Sequence, residues 1–287
     1  MLYDSSIAMP PSVLLIGATT QAERWLRAEP SLSDARVDHA QGSAHALRLL
    51  RRHSYEVVVT DRATAVDEDL ALLEEMREIR PLVKVVLLTP EAAPEELIRA
   101  LRAHVFAVFD APFDPPSVVE MIRLAVEESL GREGIEVLAA TRDWVSLRLD
   151  CRRLTAERVL GFLNQLRESD LADPERADLM LAVREVLMNA IEHGGALDPD
   201  QVVELSAVRT ARAIVFYVRD PGPGFRMEDL PHAAISNPPD DPTAHLEHRL
   251  RAGLRPGGFG LLLARSIVDE MIVGERGNEV LLVKHTA

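Results

Sequence analysis

Hydrophobic residues in the first half of the chain form short runs that are separated by amphipathic segments. The strand candidates are Ser12–Ile16, Val37–His39, Glu56–Thr60, Lys84–Leu88 and Val105–Phe109. The helix candidates that follow them are Ala22–Ala28, Ala44–Arg52, Asp69–Ile79, Pro94–Ala103 and Pro115–Ser129. Apolar runs without alternation are typical of parallel strands that are buried on both faces. Residues 12–130 are therefore predicted to form an α/β unit with a doubly wound, parallel five-stranded sheet.

The second half is patterned differently, because its first strand candidate, Trp144–Leu149, alternates apolar and charged residues. Two hairpins are predicted from the pairs Val202–Val208 with Ala213–Arg219 and Met271–Val273 with Glu279–Lys284. Amphipathic helices are predicted at Ala156–Arg167, Glu175–His193 and Gly260–Asp269. Helices grouped against antiparallel strands indicate an α/β sandwich over residues 141–287, with a mixed, mostly antiparallel sheet. Residues 131–140 are expected to be a linker.

Charge and composition exclude several classes of function. Hydrophobic residues make up 47% of the 287 residues, and 32 basic residues stand against 46 acidic ones, a net charge of −14. Such a chain lacks the electrostatic footprint for phosphate backbones or anionic lipids, so neither a nucleic acid nor a membrane is expected as a partner. No segment approaches the roughly 20 apolar residues of a membrane span. Met1–Ser12 lacks the basic start and apolar core of a signal peptide, and we expect a cytoplasmic protein.

The single cysteine, Cys151, excludes an internal disulfide and a multi-cysteine zinc site. Arg152 and Arg153 follow it, and neighbouring cations could lower the pKa of its thiol. The alternative is an unreactive, partly buried thiol, which is the commoner state of a lone cysteine.

Three segments of the second half carry candidate chemistry, and the first is the end of the predicted helix Glu175–His193. Glu185, Asn189 and His193 are spaced four residues apart and should therefore share one helix face. An amide oxygen suits a hard cation such as Mg²⁺, and a carboxylate can accept a proton. Taken alone, this segment is better explained as a solvated polar face.

The other two segments are rich in glycine. Asp220–Gly224 (DPGPG) directly follows a strand, where glycine lets the backbone approach a ligand and aspartate can accept a hydrogen bond from an amino group such as that of adenine. Gly257–Gly260 (GGFG) opens a helix, whose unpaired N–H groups attract anions. An ordinary turn and a flexible hinge are the respective alternatives.

The order and spacing of the three segments resemble the Bergerat-fold (GHKL) ATPases. The helix carries E-x3-N, the strand is followed by D-x-G-x-G, and a long, proline-rich lid candidate, Met227–Pro256, precedes G-x-G-L at a helix start. The stretch from Gly258 to Glu270 is similar to the anti-sigma-factor serine kinase branch of these proteins.

The resemblance implies ATP binding and a role for each motif residue. Asp220 would bind the adenine amine, Gly222 and Gly224 would shape the base pocket, and Gly258 and Gly260 would receive the phosphates.

The same resemblance implies that Asn189 holds Mg²⁺ and that Glu185 is the general base that activates a partner's hydroxyl. The expected activity is serine phosphorylation of an anti-sigma-factor antagonist (a STAS-domain protein), with a sigma factor as a second partner and a homodimer as the oligomeric state. The alternative is an ATP-binding scaffold that switches partners without phosphoryl transfer.

Histidine-kinase activity is a rival, because those enzymes share this nucleotide-binding fold. They also need a dimerising helical hairpin with a substrate histidine, and the predicted helix Ala156–Arg167 contains none. His53 and His104 lie in the first half, outside such a hairpin. This interpretation is therefore set aside.

The first half resembles a response-regulator receiver domain in its topology. Asp61 falls on the phosphoacceptor position and Thr89 on that of the switch hydroxyl. Gly17 and Ala18 stand where receivers carry an acidic pair, and Ala111 stands where they carry lysine before proline. Phosphoryl transfer to a carboxylate needs a metal and a cation for the developing charge. A constitutive pseudo-receiver for dimerisation or docking is expected, with phosphorylation of Asp61 as the alternative.

Overall fold

The computed structural model divides the chain into two compact units, which are Met1–Arg132 (unit 1) and Glu133–Ala287 (unit 2). The residues that it describes are 10–17, 21–61, 66–127, 134–165, 171–224, 234, 237, 241, 243–251 and 258–286. Ala18 and Gly257, which the sequence analysis singled out, lie outside these residues. Within them, no helix is both long and apolar enough to cross a membrane.

The described strands of unit 1 form a parallel sheet. They are β1 Ser12–Gly17, β2 Arg36–Ala40, β3 Val57–Asp61, β4 Val85–Thr89 and β5 Ala107–Asp110. The strand order is β2-β1-β3-β4-β5, and all pairs are parallel. The order reverses between β1 and β3, and doubly wound folds bind ligands at the carboxyl ends of the strands at such a point.

The helices described in unit 1 are α1 Gln21–Ala28, α2 Ser43–Arg52, α3 Val66–Ile79, α4 Pro94–Arg102 and α5 Pro115–Glu127. α1 contacts α5, whereas α3 contacts α2 and α4, so the helices form two groups that cover the two faces of the sheet. Leu26, Leu50 and Met76 are fully buried on these helices, and each such side chain stabilises the fold by about 1.5–3 kcal/mol. The predicted doubly wound fold is confirmed.

The described strands of unit 2 form an antiparallel sheet. They are β6 Ile135–Ala140, β7 Trp144–Asp150, β8 Val202–Arg209, β9 Ala213–Arg219, β10 Glu270–Val273 and β11 Glu279–His285. Their order is β10-β11-β9-β8-β7-β6. All described pairs are antiparallel, so the mixed character that was predicted is not found among these strands. Leu147, Leu205 and Leu282 are buried on the sheet.

The helices described in unit 2 are α6 Arg153–Gln165, α7 Asp173–Asn189, α8 Ala244–Arg251 and α9 Gly260–Ile267. α7 packs against α6 and α9 and contacts β9 and β11, so it lies on the sheet between the other two helices. At its end α7 continues into a π-helical turn, Ala190–Gly194. The predicted α/β sandwich is confirmed, with α8 as a helix inside the stretch that was predicted to be a polar lid.

The predicted linker at residues 131–140 is wrong from Ile135 onward, because β6 begins there and pairs with β7. The register shifts between Val137 and Ala139, which marks a β-bulge. A bulge inserts an extra residue into one strand and so interrupts the alternation of inward and outward side chains. The alternating pattern that identifies a half-buried strand is therefore broken inside β6.

Candidate functional site

The end of α7 and the segment after β9 meet at Gly194. A Cβ atom on Gly194 would overlap the side chain of Asp220. A Cβ atom on Gly222 would lie 2.8 Å from Oδ1 of Asp220 and 2.9 Å from the Cα of Gly194. Real side chains do not tolerate such distances, so both positions require glycine. The first two sequence segments therefore meet around the carboxylate of Asp220.

Asp220 is half-buried and held from several sides. Its Oδ1 accepts a hydrogen bond from the N–H of Gly222 at 2.8 Å. The buried Asn278 donates from Nδ2 to the carbonyl of Asp220 at 3.0 Å, and its own carbonyl accepts the N–H of Asp220 at 3.0 Å. Burial raises the pKa of Asp220, and the hydrogen bond from Gly222 opposes that shift. The carboxylate is thus an oriented, partly desolvated acceptor.

Gly224 lies against the turn between β10 and β11. Its φ is 82°, and a Cβ atom there would overlap the carbonyl group of Arg276 and lie 3.0 Å from the nitrogen of Asn278. The left-handed backbone and the close approach both favour glycine. Gly224 therefore joins the Asp220 segment to the turn that carries Asn278, and its place in a base pocket stays a prediction.

Helix α9 brings the third segment against α7. A Cβ atom on Gly260 would overlap Oε2 of Glu185, so the Glu185 carboxylate lies directly against the first residue of α9. The helices α7 and α9 pack together over this region. A negative charge at a helix start is stabilised by the free N–H groups and the helix dipole. The structure therefore brings Glu185 and the G-x-G-L motif together.

Gly258 begins the described part of the third segment with a left-handed φ of 91°. Its carbonyl accepts a hydrogen bond from the N–H of Ala234 at 2.7 Å, which joins the lid candidate to this segment. Phe259 is exposed and caps the start of α9. The first N–H groups of a helix have no partner within it, so this helix start is able to bind an anion.

Asn189 and His193 lie on either side of the junction between α7 and the π-helical turn. Asn189 is the last residue of α7 and is half-buried, whereas His193 lies in the turn and is exposed. A π-helical turn contains more than 3.6 residues, so residues beyond it are rotated from the α-helical face. Glu185 and Asn189 remain neighbours one turn apart. The expectation that His193 continues their face stays a prediction.

The arrangement fits an adenine nucleotide in outline. Asp220 provides an acceptor for an amino group, and the start of α9 provides free N–H groups for phosphates, with Glu185 and Asn189 on α7 between them. Among the described residues, no group of three or more His, Cys, Asp or Glu side chains could hold a metal ion. Mg²⁺ commonly takes one or two protein ligands and completes its shell with phosphates and water. Asn189 could serve as such a ligand only together with a nucleotide.

An apolar groove with a cavity volume of about 80 Å³ lies at the opposite end of the unit 2 sheet. Leu179, Phe216 and the half-exposed Trp144 line it. Ile214, near the beginning of β9, also lines the groove, whereas Asp220 follows the end of that strand. The groove is therefore separate from the cluster around Asp220.

Cys151 is buried, and a Cβ atom on Gly195 would overlap its sulfur. Burial, followed by the charges of Asp150, Asp198 and Asp220, raises the pKa of the thiol to about 11. The thiol is protonated at neutral pH and therefore unreactive. The interpretation as an unreactive buried thiol is confirmed, and the acidified alternative is wrong.

Asp61 and Thr89 lie at the carboxyl ends of β3 and β4, as predicted. Asp61 is paired in register with Gly17 of β1 and is half-buried, and burial raises the pKa of its carboxyl group. Thr89 is completely buried, and its hydroxyl donates a hydrogen bond to the carbonyl of Glu91 at 2.9 Å. The structure brings both residues to the expected edge, and their roles in phosphorylation stay predictions.

Lysine is scarce in this chain, which bears on the phosphoacceptor site. The two lysines of the sequence are Lys84 and Lys284. Lys84 precedes β4 at the amino end of that strand and donates to the carbonyl of Ala125, and Lys284 belongs to β11 of unit 2. Ala111 directly follows β5. Neither lysine therefore lies at the carboxyl edge of the unit 1 sheet.

Sequence reasoning missed two features of the cluster. Gly194 was noted only as the end of a helical segment, and the one local signal is a pair of glycines after an amphipathic helix. Asn278 was assigned only to a hairpin turn, although its side chain holds the backbone of Asp220 from 58 positions away. No local pattern connects residues so far apart.

Comparison with known proteins places these observations in a family. Residues 148–284 match the family model described as a histidine kinase-like ATPase domain. The chain is 25% identical over 103 residues to a probable transcriptional regulator, ycf29, of Porphyra purpurea. This match covers 35% of this chain and 49% of that protein. It is 26% identical over 90 residues to the transcriptional regulatory protein GlrR of Escherichia coli K12. This match covers 31% of this chain and 20% of that protein. The chain thus spans at most about half the length of these relatives.

Among solved structures, a response regulator receiver domain protein (CheY-like) from Methanospirillum hungatei JF-1 is 21% identical. The match covers 41% of this chain and 94% of that chain, with a TM-score of 0.36. The fold of unit 1 is established by its own strand order, 2-1-3-4-5, which CheY shares with flavodoxin. The cluster of Glu185, Asp220 and Gly260 lies inside the matched residues 148–284. Residues 148–284 of unit 2 therefore match a histidine kinase-like ATPase domain, and unit 1 has a receiver-like fold.

Proposed function

We propose that this chain is a signalling regulator in which unit 2 binds Mg-ATP and phosphorylates a serine of a partner protein. The partner that we propose is an anti-sigma-factor antagonist with a STAS domain, and a sigma factor is the second. The ATPase assignment of unit 2 supports the nucleotide. The resemblance of Gly258–Glu270 to the anti-sigma-factor kinases supports the reaction and the partners.

The observation that carries the proposal is the convergence of three distant segments on α7. Gly194 contacts Asp220 at the end of the π-helical turn that follows this helix, and Glu185 contacts Gly260 nine residues earlier. A polar helix face or a glycine turn has an ordinary structural explanation when it occurs alone. Here two distant segments pack against one helix: Asp220 lies against Gly194, and Gly260 lies against the Glu185 carboxylate. Polar groups gathered in this way are typical of a ligand site.

Each polar group of these segments has a distinct role in the proposal. Asp220 accepts a hydrogen bond from the adenine amino group, and Asn189 provides an amide oxygen to Mg²⁺. The N–H groups at the start of α9 bind phosphate oxygens. Bound Mg-ATP supplies the phosphoryl group. Glu185 accepts the proton from the serine hydroxyl of the partner.

Unit 1 acts in this proposal as a constitutive docking or dimerisation module that regulates unit 2 without being phosphorylated. Gly17 lies beside Asp61, where a receiver needs metal ligands, and Ala111 follows β5, where it needs a cation. A homodimer is the oligomeric state that we expect.

One observation favours the alternative function, an ATP-binding scaffold that switches partners without phosphoryl transfer. The carboxylate of Glu185 lies against Gly260, where the helix start stabilises its negative charge. A carboxylate stabilised in this way is a weaker base toward an incoming hydroxyl. An assay of phosphoryl transfer distinguishes the two functions.

Calorimetry of the full chain with ATP and ADP, with and without Mg²⁺, tests nucleotide binding. Asn189→Ala should remove the Mg²⁺-dependent part of the affinity. Asn164→Ala, which changes an exposed asparagine on α6, is the matched control and should bind like the wild type. A folded chain that releases no heat with either nucleotide contradicts the proposal.

Co-purification with and without ATP identifies the partner, and transfer of labelled phosphate onto a STAS-domain protein then tests the reaction. Phosphoserine on that protein is the expected result. A chain that binds ATP and the partner but never transfers phosphate favours the scaffold.

A further inference from the structure

His245, in the first turn of α8, is completely buried, with 0% of its surface exposed. It lies in the stretch between the Asp220 and Gly258 segments, and none of the ATPase motifs assigns it a role. The ring of a histidine has two nitrogens, and a buried ring needs a hydrogen-bond partner for each. The partners that it has therefore indicate what the ring is able to do.

Asn237 determines which ring nitrogen of His245 carries the hydrogen. Oδ1 of Asn237 accepts the backbone N–H of His245 at 2.9 Å, and Nδ2 of the same amide lies 2.7 Å from the ring Nδ1. Because Nδ2 can only donate, Nδ1 must accept, and the neutral ring carries its hydrogen on Nε2. The opposite orientation of the amide would place Nδ2 against the backbone N–H of His245, donor against donor, and would lose that hydrogen bond.

The Nε2–H group of His245 has no hydrogen-bond partner in the part of the chain that the structure describes. A buried donor without an acceptor is rare in folded proteins, because nothing compensates for the water that it has lost. This tautomer leaves no lone pair on Nε2, so the atom cannot ligate a metal ion and can only donate. The missing partner must therefore be an acceptor.

The ring of His245 lies beside the start of α9. Its centroid is 4.6 Å from that of Phe259, with the two rings edge to face at 89°. Phe259 directly precedes Gly260, the first residue of α9. The hydrogen bond from Ala234 to Gly258 joins the same stretch of chain to this segment a second time. The free N–H groups at the start of α9 attract negative charge to this place, so an anionic acceptor is favoured.

We propose that the Nε2–H of His245 donates a hydrogen bond to a phosphate oxygen of the bound nucleotide. His245 is then a phosphate-recognition residue supplied by α8, and Asn237 is a positioning residue that selects its tautomer. Asp220 recognises the base, and His245 discriminates between nucleotides by the number of phosphates. The inference rests on nucleotide binding by unit 2, and it does not require phosphoryl transfer to a partner.

Two substitutions separate the donor from the rest of the ring. Glutamine can place an amide N–H near the position of the ring Nε2, whereas asparagine reaches only about as far as the ring Nδ1. His245→Asn should weaken ATP binding by the full chain about tenfold, as expected for a lost hydrogen bond to a charged group. His245→Gln should recover most of this loss. AMP should bind equally to all three proteins and thereby report an intact fold and base pocket.

Calorimetry with ATP, ADP and AMP decides the assignment. The assignment is supported if His245→Asn loses affinity for ATP alone, or for both ATP and ADP, while its affinity for AMP is unchanged. Which of these two results is found identifies the phosphate that His245 contacts. Equal ATP affinity of His245→Asn and the wild type overturns the assignment, as does an equal loss for all three nucleotides.

A second measurement uses the wild-type chain with ¹⁵N-labelled histidine. NMR should detect the Nε2–H tautomer of His245 in the free protein, and ATP should shift the Nε2 resonance more than the Nδ1 resonance. The Nδ1–H tautomer would overturn the assignment even if no variant folded. A wild type that binds no ATP overturns the nucleotide site and this assignment together. A wild type that binds ATP without phosphorylating a partner fails only the kinase proposal.

Discussion

The candidate polar residues of the two units have different surroundings. The comparison shows that a fold can be kept where the contacts of a site are not. In unit 1, Asp61 lies beside Gly17, and no lysine follows β5. In unit 2, Asp220 and Glu185 are each pressed against a glycine. A doubly wound sheet is stabilised by its apolar strands, whereas a ligand cleft depends on a few specific contacts. Unit 1 can therefore lose the chemistry of its edge while its fold persists.

The largest difference between the units is expected when one acidic group is neutralised in each. Glu185→Gln keeps the size and hydrogen-bonding capacity of the side chain but cannot take up a proton. Phosphoryl transfer to a STAS-domain protein should fall roughly 10²–10⁴-fold, while ATP affinity stays at the wild-type level. Asp61→Asn is the counterpart in unit 1 and should leave both quantities unchanged. Labelled ATP measures the transfer, and a wild-type rate in Glu185→Gln would remove Glu185 from the mechanism.

A smaller but structural difference is expected from adding one methyl group in each unit. Gly194→Ala drives a Cβ atom into the Asp220 side chain, which should lower the free energy of unfolding by about 1–3 kcal/mol and weaken ATP binding. Gly42→Ala, before α2, has nothing within 4 Å of the new atom. The Gly42→Ala substitution should lower the free energy of unfolding by about 0.5–1 kcal/mol, because alanine is a poorer helix cap than glycine. It should leave ATP affinity unchanged.

Urea denaturation and calorimetry on the two alanine variants measure these effects. Wild-type ATP affinity in Gly194→Ala would mean that this contact does not position Asp220.

A pH-dependent effect follows from the pKa of Asp220, which burial raises above its ordinary value of 3.8. At pH values between the ordinary pKa of the unfolded chain and the raised pKa of the folded chain, the folded chain binds more protons at Asp220 than the unfolded chain does. The contribution of Asp220 to the free energy of unfolding therefore falls as the pH rises through this range. Adenosine affinity should change in the opposite sense and rise with pH, because the ionised carboxylate is the better acceptor.

Asp220→Asn should flatten both pH dependences. Denaturation and adenosine titrations from acidic to neutral pH measure them, and adenosine avoids any contribution from phosphate ionisation. A pH profile that is identical in Asp220→Asn and the wild type would assign the dependence to another group.

The smallest effect is expected at the phosphoacceptor position of unit 1. Acetyl phosphate with Mg²⁺ should leave Asp61 unmodified, because Gly17 is its neighbour on β1 and burial disfavours its charged form. Intact-mass spectrometry measures the outcome. A stoichiometric phosphate adduct that disappears in Asp61→Asn would make unit 1 a working receiver and remove the contrast between the two units.

The secondary structure of unit 1 was predictable because β1, β3, β4 and β5 are largely uninterrupted apolar runs between amphipathic helices. The edge strand β2 has no such run. In unit 2 the same reasoning missed β6, whose bulge between Val137 and Ala139 interrupts the alternation. It also missed α8, which is rich in charged residues and has no long apolar stripe. The buried His245 is held there by Asn237 and Phe259, which are tertiary contacts that the local pattern does not report.

The candidate site was predictable as far as its motifs follow one another in a recognisable order. Glu185, Asp220 and Gly260 were identified in this way, and the structure brings their segments together. The contact between Gly194 and Asp220, and the hydrogen bonds of Asn278, join residues that are distant in the chain. Sequence periodicity describes how one segment is buried and not which other segment buries it.

The sequence by itself determined the two α/β units, the parallel and antiparallel character of most of their strands, and the order of the ATPase motifs. The tertiary structure decided what individual motif residues do. Gly224 accommodates the carbonyl of Arg276, and Gly260 accommodates the carboxylate of Glu185. The physical reason is that a glycine has no side chain to pack. The atoms that would clash with a side chain at its position belong to other segments, and they reach it only when the helices and strands pack together.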